Sequence, residues 1–245
     1  MTQRIALVSG GIGGLGTAIC RALAHAGHRV IAVDLGGRDE RVAGFHAALD
    51  GLDVSFAPLD VTDFDACGAL VARLEAEHGG IDILVNAAGI TRDARLVKMD
   101  KRAWDDVLSV NLDGVFNLCR HVVDGMAARG HGRIVNISSI NGQTGQFGQT
   151  NYAAAKAGMH GFTMSLAREV ARKGVTVNSI SPGYIDTEMT RAIREDVREQ
   201  IVAGIPTGRM GQPDDIARAV AFLTADASDY LTGVNLPVNG GLFMS

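Results

Sequence analysis

The sequence predicts an α/β protein: one doubly wound domain, with seven parallel strands flanked by helices on both faces. Three observations carry that expectation. Short β-branched runs alternate along the chain with longer helical patterns, and Gly, Pro, Asp or Asn punctuates the joints. Most of the strand runs are almost wholly apolar, as strands covered on both faces must be. The 245 residues are enough to bury a substantial core.

Taken in order, strands are expected at 5–9, 29–34, 53–59, 81–86, 133–138, 176–181 and 234–238. Helices are expected between them at 14–26, 38–49, 63–78, 101–128 and 151–173, with two more near 187–203 and 213–225. Asp63 and Asp100 stand where an N-cap carboxylate accepts from a free helix N–H, and Pro213 suits a first helical turn. The weakly patterned stretch 185–211 reads as a lid or substrate loop rather than a domain boundary. No repeat, low-complexity tract or linker interrupts residues 1–245.

Composition excludes several classes. Apolar residues make up 47% and charged residues 20%, which is neither a disordered nor a fibrous chain. Lys plus Arg number 23 against 27 Asp plus Glu, a net charge of −4, which argues against coating nucleic acid or an anionic membrane. Cys20, Cys67 and Cys119 are odd in number and far apart, so neither a disulfide framework nor a zinc site is expected, and a reducing compartment is. The histidines (His25, His28, His46, His78, His121, His131 and His160) show no ligand spacing, so no catalytic metal is expected. No apolar run approaches a membrane span, and Met1-Thr2-Gln3-Arg4 leads directly into the first strand without room for a signal peptide. A cytoplasmic protein is the expectation.

After the first strand, Ser9-Gly10-Gly11-Ile12-Gly13-Gly14-Leu15-Gly16 opens a helix. Glycines at such a joint let the backbone approach a pyrophosphate, which the helix N–H groups and dipole attract. Gly10, Ile12, Gly13, Gly14, Leu15 and Gly16 are therefore candidate cofactor contacts, although glycines also serve tight turns. Asp34, at the end of the second strand, lies 18 residues beyond Gly16, where a carboxylate accepts from both adenosine ribose hydroxyls and repels a 2′-phosphate. It points to NADH over NADPH. The alternative is a solvated loop acid, and Arg38 and Arg41 follow closely enough to soften the preference.

Tyr152 and Lys156 are four residues apart and share a helix face. A cation beside a phenol, together with the positive nicotinamide ring of an oxidised cofactor, favours the phenolate and lowers its pKa from about 10, the tuning a general acid–base needs when a carbonyl and an alcohol interconvert. In isolation such a pair is more often a helix residue with a lysine neighbour. Thirteen residues earlier, Ser139 ends the fifth strand, where ligands of an open parallel sheet gather; it bonds a substrate carbonyl oxygen or merely turns the chain. The small residues Asn86-Ala87-Ala88-Gly89 end the fourth strand and permit close approach of a cofactor. Asn111 sits within the long helix expected at 101–128, where Asn is a mediocre helix former; a local kink beside Lys156 or a satisfied core amide would account for it.

The set Gly10-x-x-x-Gly14-x-Gly16, Asp60-Val61, Asn86-Ala87-Ala88-Gly89, Asn111, Ser139, Tyr152-x-x-x-Lys156 and Pro182-Gly183 resembles the short-chain dehydrogenase/reductases over the full length. The resemblance implies a Rossmann domain, with a dinucleotide-binding half over about 1–130 and catalytic and substrate elements over about 131–245. It implies a catalytic tetrad of Asn111, Ser139, Tyr152 and Lys156. It further implies that Asp60 and Val61 flank the adenine, that the 86–90 loop (through Ile90) and Pro182-Gly183 contact the cofactor, that Tyr152 and Lys156 hold the nicotinamide ribose, and that Ile185 and Thr187 meet the carboxamide. A homotetramer paired through its long helices is implied in the same way, with Met159 and Met164 read as core or subunit contact.

Within the family, the segments 86–93, 136–143 and 145–152 are similar to acetoacetyl-CoA reductases of polyhydroxyalkanoate synthesis. That likeness implies an acyl-CoA substrate, an (R)-3-hydroxyacyl-CoA product, and a pocket shaped by Asp93, Ser139, Gln146, Phe147, Gln149 and Tyr184. Such reductases commonly use NADPH and lack an acid at the position of Asp34. Arg92, Arg95, Lys98, Lys101 and Arg102, with Arg191, Arg194 and Arg198, are expected to rim the mouth and meet CoA phosphates, or else to be solvated charge in local ion pairs. Two other functions remain open: a 3-oxoacyl-(acyl-carrier-protein) reductase and a dinucleotide-sensing regulator.

Overall fold

The computed structural model describes residues 3–37, 39–191 and 193–244; Arg38, Met1 and Thr2, all used above, lie outside them. Seven strands form one sheet: β1 (Ile5–Ser9), β2 (Arg29–Asp34), β3 (Val54–Pro58), β4 (Ile83–Asn86), β5 (Gly132–Ile137), β6 (Val175–Pro182) and β7 (Asn235–Val238). Their order is β3-β2-β1-β4-β5-β6-β7, and every pairing is parallel. The chain moves outward from β1 to β3, then crosses back to place β4 on the other side of β1. The carboxyl ends of β1 and β4 therefore flank the crevice where ligands of doubly wound sheets bind.

The helices are α1 (Gly14–His25), α2 (Asp39–Ala48), α3 (Phe64–His78), α4 (Lys101–Leu108), α5 (Gly114–Arg129), α6 (Asn141–Thr144), α7 (Thr150–Val170), α8 (Glu188–Arg191), α9 (Glu195–Gly204) and α10 (Pro213–Thr224). Strand alternation explains how they are held. Ile5 and Leu7 join one apolar cluster with α3, α5 and α7, whereas Ala6 and Val8 join a second with α1, α2 and α10. Ile31 and Val33 of β2 face the first cluster, and Val30 and Ala32 the second. Both faces of β1 and the middle of β2 are thus buried.

Asp63 caps α3 by accepting from Ala66 N at 2.9 Å, and Asp100 caps α4 by accepting from Ala103 N at 2.7 Å. Three elements differ from the sequence expectation. The single helix expected at 101–128 is α4 and α5 joined through a π-helical turn at Ser109–Asp113. The helix expected at 187–203 is broken into α8 and α9. The short helix α6, which the sequence reading did not anticipate, follows β5.

Candidate active site

The turn between β1 and α1 is built by close packing. Gly10 has φ of +65°, and a Cβ there would sit 2.7 Å from Ala87 O; one on Gly16 would sit 2.1 Å from Gly10 O. Packing makes no such demand at Gly13 and Gly14, where an added Cβ meets nothing nearer than 3.4 and 3.9 Å. Those two glycines begin α1 with no side-chain cap, so the turn fits a pyrophosphate approaching the free N–H groups. Ile12 is buried and Leu15 half-buried beside them, while Thr187 faces Gly14 across the crevice.

At the ends of β2 and β3 stand the groups expected around the adenosine. Asp34 is half-buried and accepts from Leu35 N at 2.8 Å. Asp60 accepts from Thr62 N at 2.9 Å and its hydroxyl at 2.7 Å, and the Val61 carbonyl accepts from Asn117 at 2.8 Å. Arg41 pairs with Glu188 of α8 at 3.7 Å, so this cation leans towards the 185–211 segment.

The loop after β4 is tied to its surroundings by neutral groups. Ser9 Oγ accepts from Ala87 N and Ala88 N at 3.2 and 3.3 Å. Asn86 is buried and donates to Asn136 Oδ1 at 2.8 Å, and Asn136 donates to Thr163 at 2.9 Å. Fully buried Asn111 donates to Ile90 O at 2.9 Å and Val107 O at 2.8 Å, and accepts from Ile90 N at 3.2 Å. It lies in the π-helical turn, and its amide is satisfied by backbone groups, as the second reading expected. A Cβ on Gly89 would sit 2.6 Å from Asn111 Oδ1 and 3.7 Å from Lys156 Nζ, which brings the β4 loop, Asn111 and Lys156 together.

α7 lays Tyr152 and Lys156 along one face, with Lys156 Nζ 5.6 Å from the centre of the Tyr152 ring. Lys156 is 3% exposed and donates to Ile137 O at 2.7 Å, at the end of β5. Burial pushes its pKa down to about 7. The phenol shifts opposite to the sequence expectation: its pKa lies above 10. Burial of the phenolate is the largest cause and the Asp93 charge adds to it, while the hydrogen bond with Ser139 pulls the other way. The neighbouring amine is itself driven towards neutrality by burial, so its charge is diminished beside the phenol. Ser139 Oγ accepts from Asn141 N at 3.1 Å, and Ser138 Oγ donates to Lys156 O at 3.0 Å.

Around this cluster, Asn141 donates to Gln149 at 2.9 Å and Gln149 donates to Asp93 at 2.8 Å, a chain joining α6, the start of α7 and the β4 loop. Gln146 and Phe147 are exposed. The Pro182 carbonyl accepts from Ile140 N at 2.9 Å, and Gly183 N donates to Val238 O at 3.0 Å. Tyr184 and Ile185 line a cavity of about 210 Å³ with Ile205, Thr207 and Val238. Two contributors were missed from sequence, Asn141 and Asn151. Asn151 carried no signal, since Asn is a common residue at the start of a helix.

The expected basic rim is largely engaged with acids. Arg92 and Arg102 lie 3.8 and 3.9 Å from Asp106, and Lys101 pairs with Asp105. Arg191 lies 2.9 Å from Asp186, Arg194 3.0 Å from Asp196, and Arg198 3.8 Å from Asp186. Arg95 and Lys98 make no ion pair among the described residues. Among those residues, too, no cluster of three or more His, Cys, Asp or Glu side chains is placed to hold a metal, and no helix is long and apolar enough to cross a membrane.

Such a sheet, glycine turn and Tyr–Lys–Ser cluster define a dinucleotide-dependent oxidoreductase. The family model described as enoyl-(acyl carrier protein) reductase matches residues 10–243. The chain belongs to the short-chain dehydrogenase/reductase family, whose reductases use NAD(P)H. It is 56% identical to an acetoacetyl-CoA reductase of Allochromatium vinosum, over 98% of this chain and 99% of that one. It is 52% identical to an acetoacetyl-CoA reductase of Cupriavidus necator over the whole of both chains. It is 45% identical to the 3-oxoacyl-(acyl-carrier-protein) reductase FabG of Escherichia coli, over 98% of each.

The Lys156 shift has a direction that stability measurements read. With a folded pKa near 7 and an ordinary value of 10.5, the unfolded chain binds the extra proton between those limits. The lysine therefore costs stability most below pH 7, and the cost fades as pH rises towards 10.5. Denaturant unfolding of wild type and Lys156→Met should show the wild type gaining on the variant across that window; a constant difference would contradict the buried amine.

Proposed function

We propose that the protein is an acetoacetyl-CoA reductase producing (R)-3-hydroxybutanoyl-CoA. The observation that carries the chemistry is a phenol kept protonated by burial, one helical turn from Lys156 and beside Ser139, at the carboxyl end of β5. The names of the 56% and 52% identical relatives support the thioester substrate.

A nicotinamide dinucleotide bound across the crevice supplies the hydride. The β1–α1 turn holds its pyrophosphate, Asp34 its adenosine ribose, and Asp60 and Val61 its adenine. Ser139 donates to the 3-keto oxygen and steadies charge developing there. Tyr152 Oη gives its proton to that oxygen as the alcohol forms. Asn111 holds the β4 loop through Ile90, and Lys156 fixes the phenol's approach. Asp93, Gln149, Gln146, Phe147 and Tyr184 shape the path of the acetoacetyl-pantetheine arm, whose amides match two glutamines and a carboxylate. For the basic residues, Arg95 and Lys98 are the cations to meet CoA phosphates, because the others already have acidic partners.

Asp34 supports NADH as the preferred dinucleotide, since a 2′-phosphate would meet a like charge. Exposed Phe116 on α5 and Met164 on α7 support a homotetramer formed through those helices, whereas Met159 is fully buried and belongs to the core. A carrier-protein thioester is the second reading, favoured by the 45% identical relative.

Three measurements test these assignments. Tyr152→Phe should lower kcat by about 10²–10⁴-fold with the protein still folded; near-normal turnover would remove the acid. Initial rates should favour acetoacetyl-CoA over acetoacetyl-carrier protein, and the reverse ranking would select the second reading. Asp34→Ala should raise the NADPH:NADH ratio of kcat/KM at least tenfold, and an unchanged ratio would end the argument from charge.

A further inference from the structure

Asn151 carries more of the candidate site than its place in the chain suggests. It is fully buried at the start of α7, where side chains commonly reach solvent. Its Nδ2 donates to Arg92 O at 3.1 Å in the β4 loop and to Ala103 O at 3.0 Å in the first turn of α4. Its Oδ1 accepts from Tyr152 N at 2.8 Å. One amide thus joins three pieces of chain, and the third is the backbone of the phenol-bearing residue.

The two carbonyls belong to the β4 loop and to α4, which packs against α7. Arg92 adjoins Asp93, whose carboxylate accepts from Gln149 at 2.8 Å, and Ala94 N donates to Gly148 O at 2.9 Å. Those two contacts lie near the surface, between half-buried or exposed groups. Asn151 makes the inner contact of the same seam. Loss of its amide would take a donor from two part-buried carbonyls and loosen the loop edge facing Tyr152.

We propose that Asn151 is a positioning residue for the proposed reduction: it sets the distance between the Tyr152 phenol and the β4 loop, and hence the line between proton donor and substrate carbonyl. A shift of about 1 Å in such a donor is enough to cost about a hundredfold in rate. The residue touches no reacting atom, so its effect falls on turnover rather than on cofactor binding.

The inference rests on the reductase reading only in requiring that a ketone is reduced. Asn151→Ala is compared with Asn178→Ala, another fully buried amide, which donates to Leu231 O at 2.8 Å and accepts from Val234 N at 3.1 Å, in the β6–β7 region. Rates are expressed per NADH-binding site, counted by fluorescence titration, which sets aside unfolded protein. For Asn151→Ala, kcat should fall by about 10–100-fold with the NADH Kd within about twofold of wild type, and the solvent deuterium isotope effect on kcat should rise as proton transfer becomes slower. Asn178→Ala should keep the wild-type rate per site.

Equal losses in the two variants, or a rate per site within threefold of wild type for Asn151→Ala, would overturn the proposal. If Asn151→Ala yields no folded protein, Asn151→Ser and Asn151→Asp are read in the same way. Three variants without a single NADH-binding site would also overturn it, by making the amide a requirement of folding. Wild type that binds NADH but leaves acetoacetyl-CoA unreduced strikes the substrate reading instead, and the comparison is then repeated with acetoacetyl-carrier protein.

Discussion

The burial of one amine organises this site. Lys156 enters the protein from α7 and reaches the last carbonyl of β5, so its 2.7 Å bond to Ile137 O pins the helix to the sheet end. A lysine moved from 10.5 to about 7 is disfavoured in its charged form by roughly 5 kcal/mol. A stability-optimised core would place an apolar side chain there. The fold accepts the cost because α7 also carries Tyr152, and fixing one fixes the other. Gly89 then has to lack a side chain, since Asn111 Oδ1 would lie 2.6 Å from a Cβ there.

Around this amine the chain uses neutral amides as stitching. Asn111 holds the β4 loop at Ile90, Asn141 and Gln149 hold it at Asp93, and Asn136 ties Asn86 to Thr163. Charges at these positions would bring desolvation costs and act on the phenol over several ångströms, as Asp93 does. Amides offer donors and acceptors without a net charge, so they fix loops while leaving the electrostatics of the cluster to Lys156, Asp93 and the ligand.

Much of this was legible in the sequence because it has a period or a motif. Apolar strand runs of the right length specify covered parallel strands, while the strand order came from the structure. Asp63 and Asp100 marked their helix starts. What escaped depends on contacts between distant segments. The π-helical turn at Ser109–Asp113 belongs to a stretch that is helical throughout by propensity, so only Asn111 hinted at it. Asn151 is an ordinary residue until Arg92 and Ala103 are placed beside it. The basic rim is a different case: Asp105 and Asp106, four residues from Lys101 and Arg102, already announced the pairing that the structure displays.

The phenol shows why spacing alone misjudges a titration. An ammonium four residues away lowers a phenol's pKa when both remain in contact with water, but here burial acts on each group separately and pushes both towards their neutral forms. Tyr152 therefore keeps its proton, the state an acid needs before a reduction. In the proposed reduction the balance changes once that proton is given up, because a phenolate attracts the ammonium of Lys156, whose Nζ lies 5.6 Å from the ring centre. The attraction is absent before proton transfer and present after it. On the proposed assignment, an amine that titrates near neutrality would take a proton from solvent at small cost at that moment, and the pair would favour the product side of the transfer without weakening the acid beforehand. Burial and charge thus act in succession rather than in opposition.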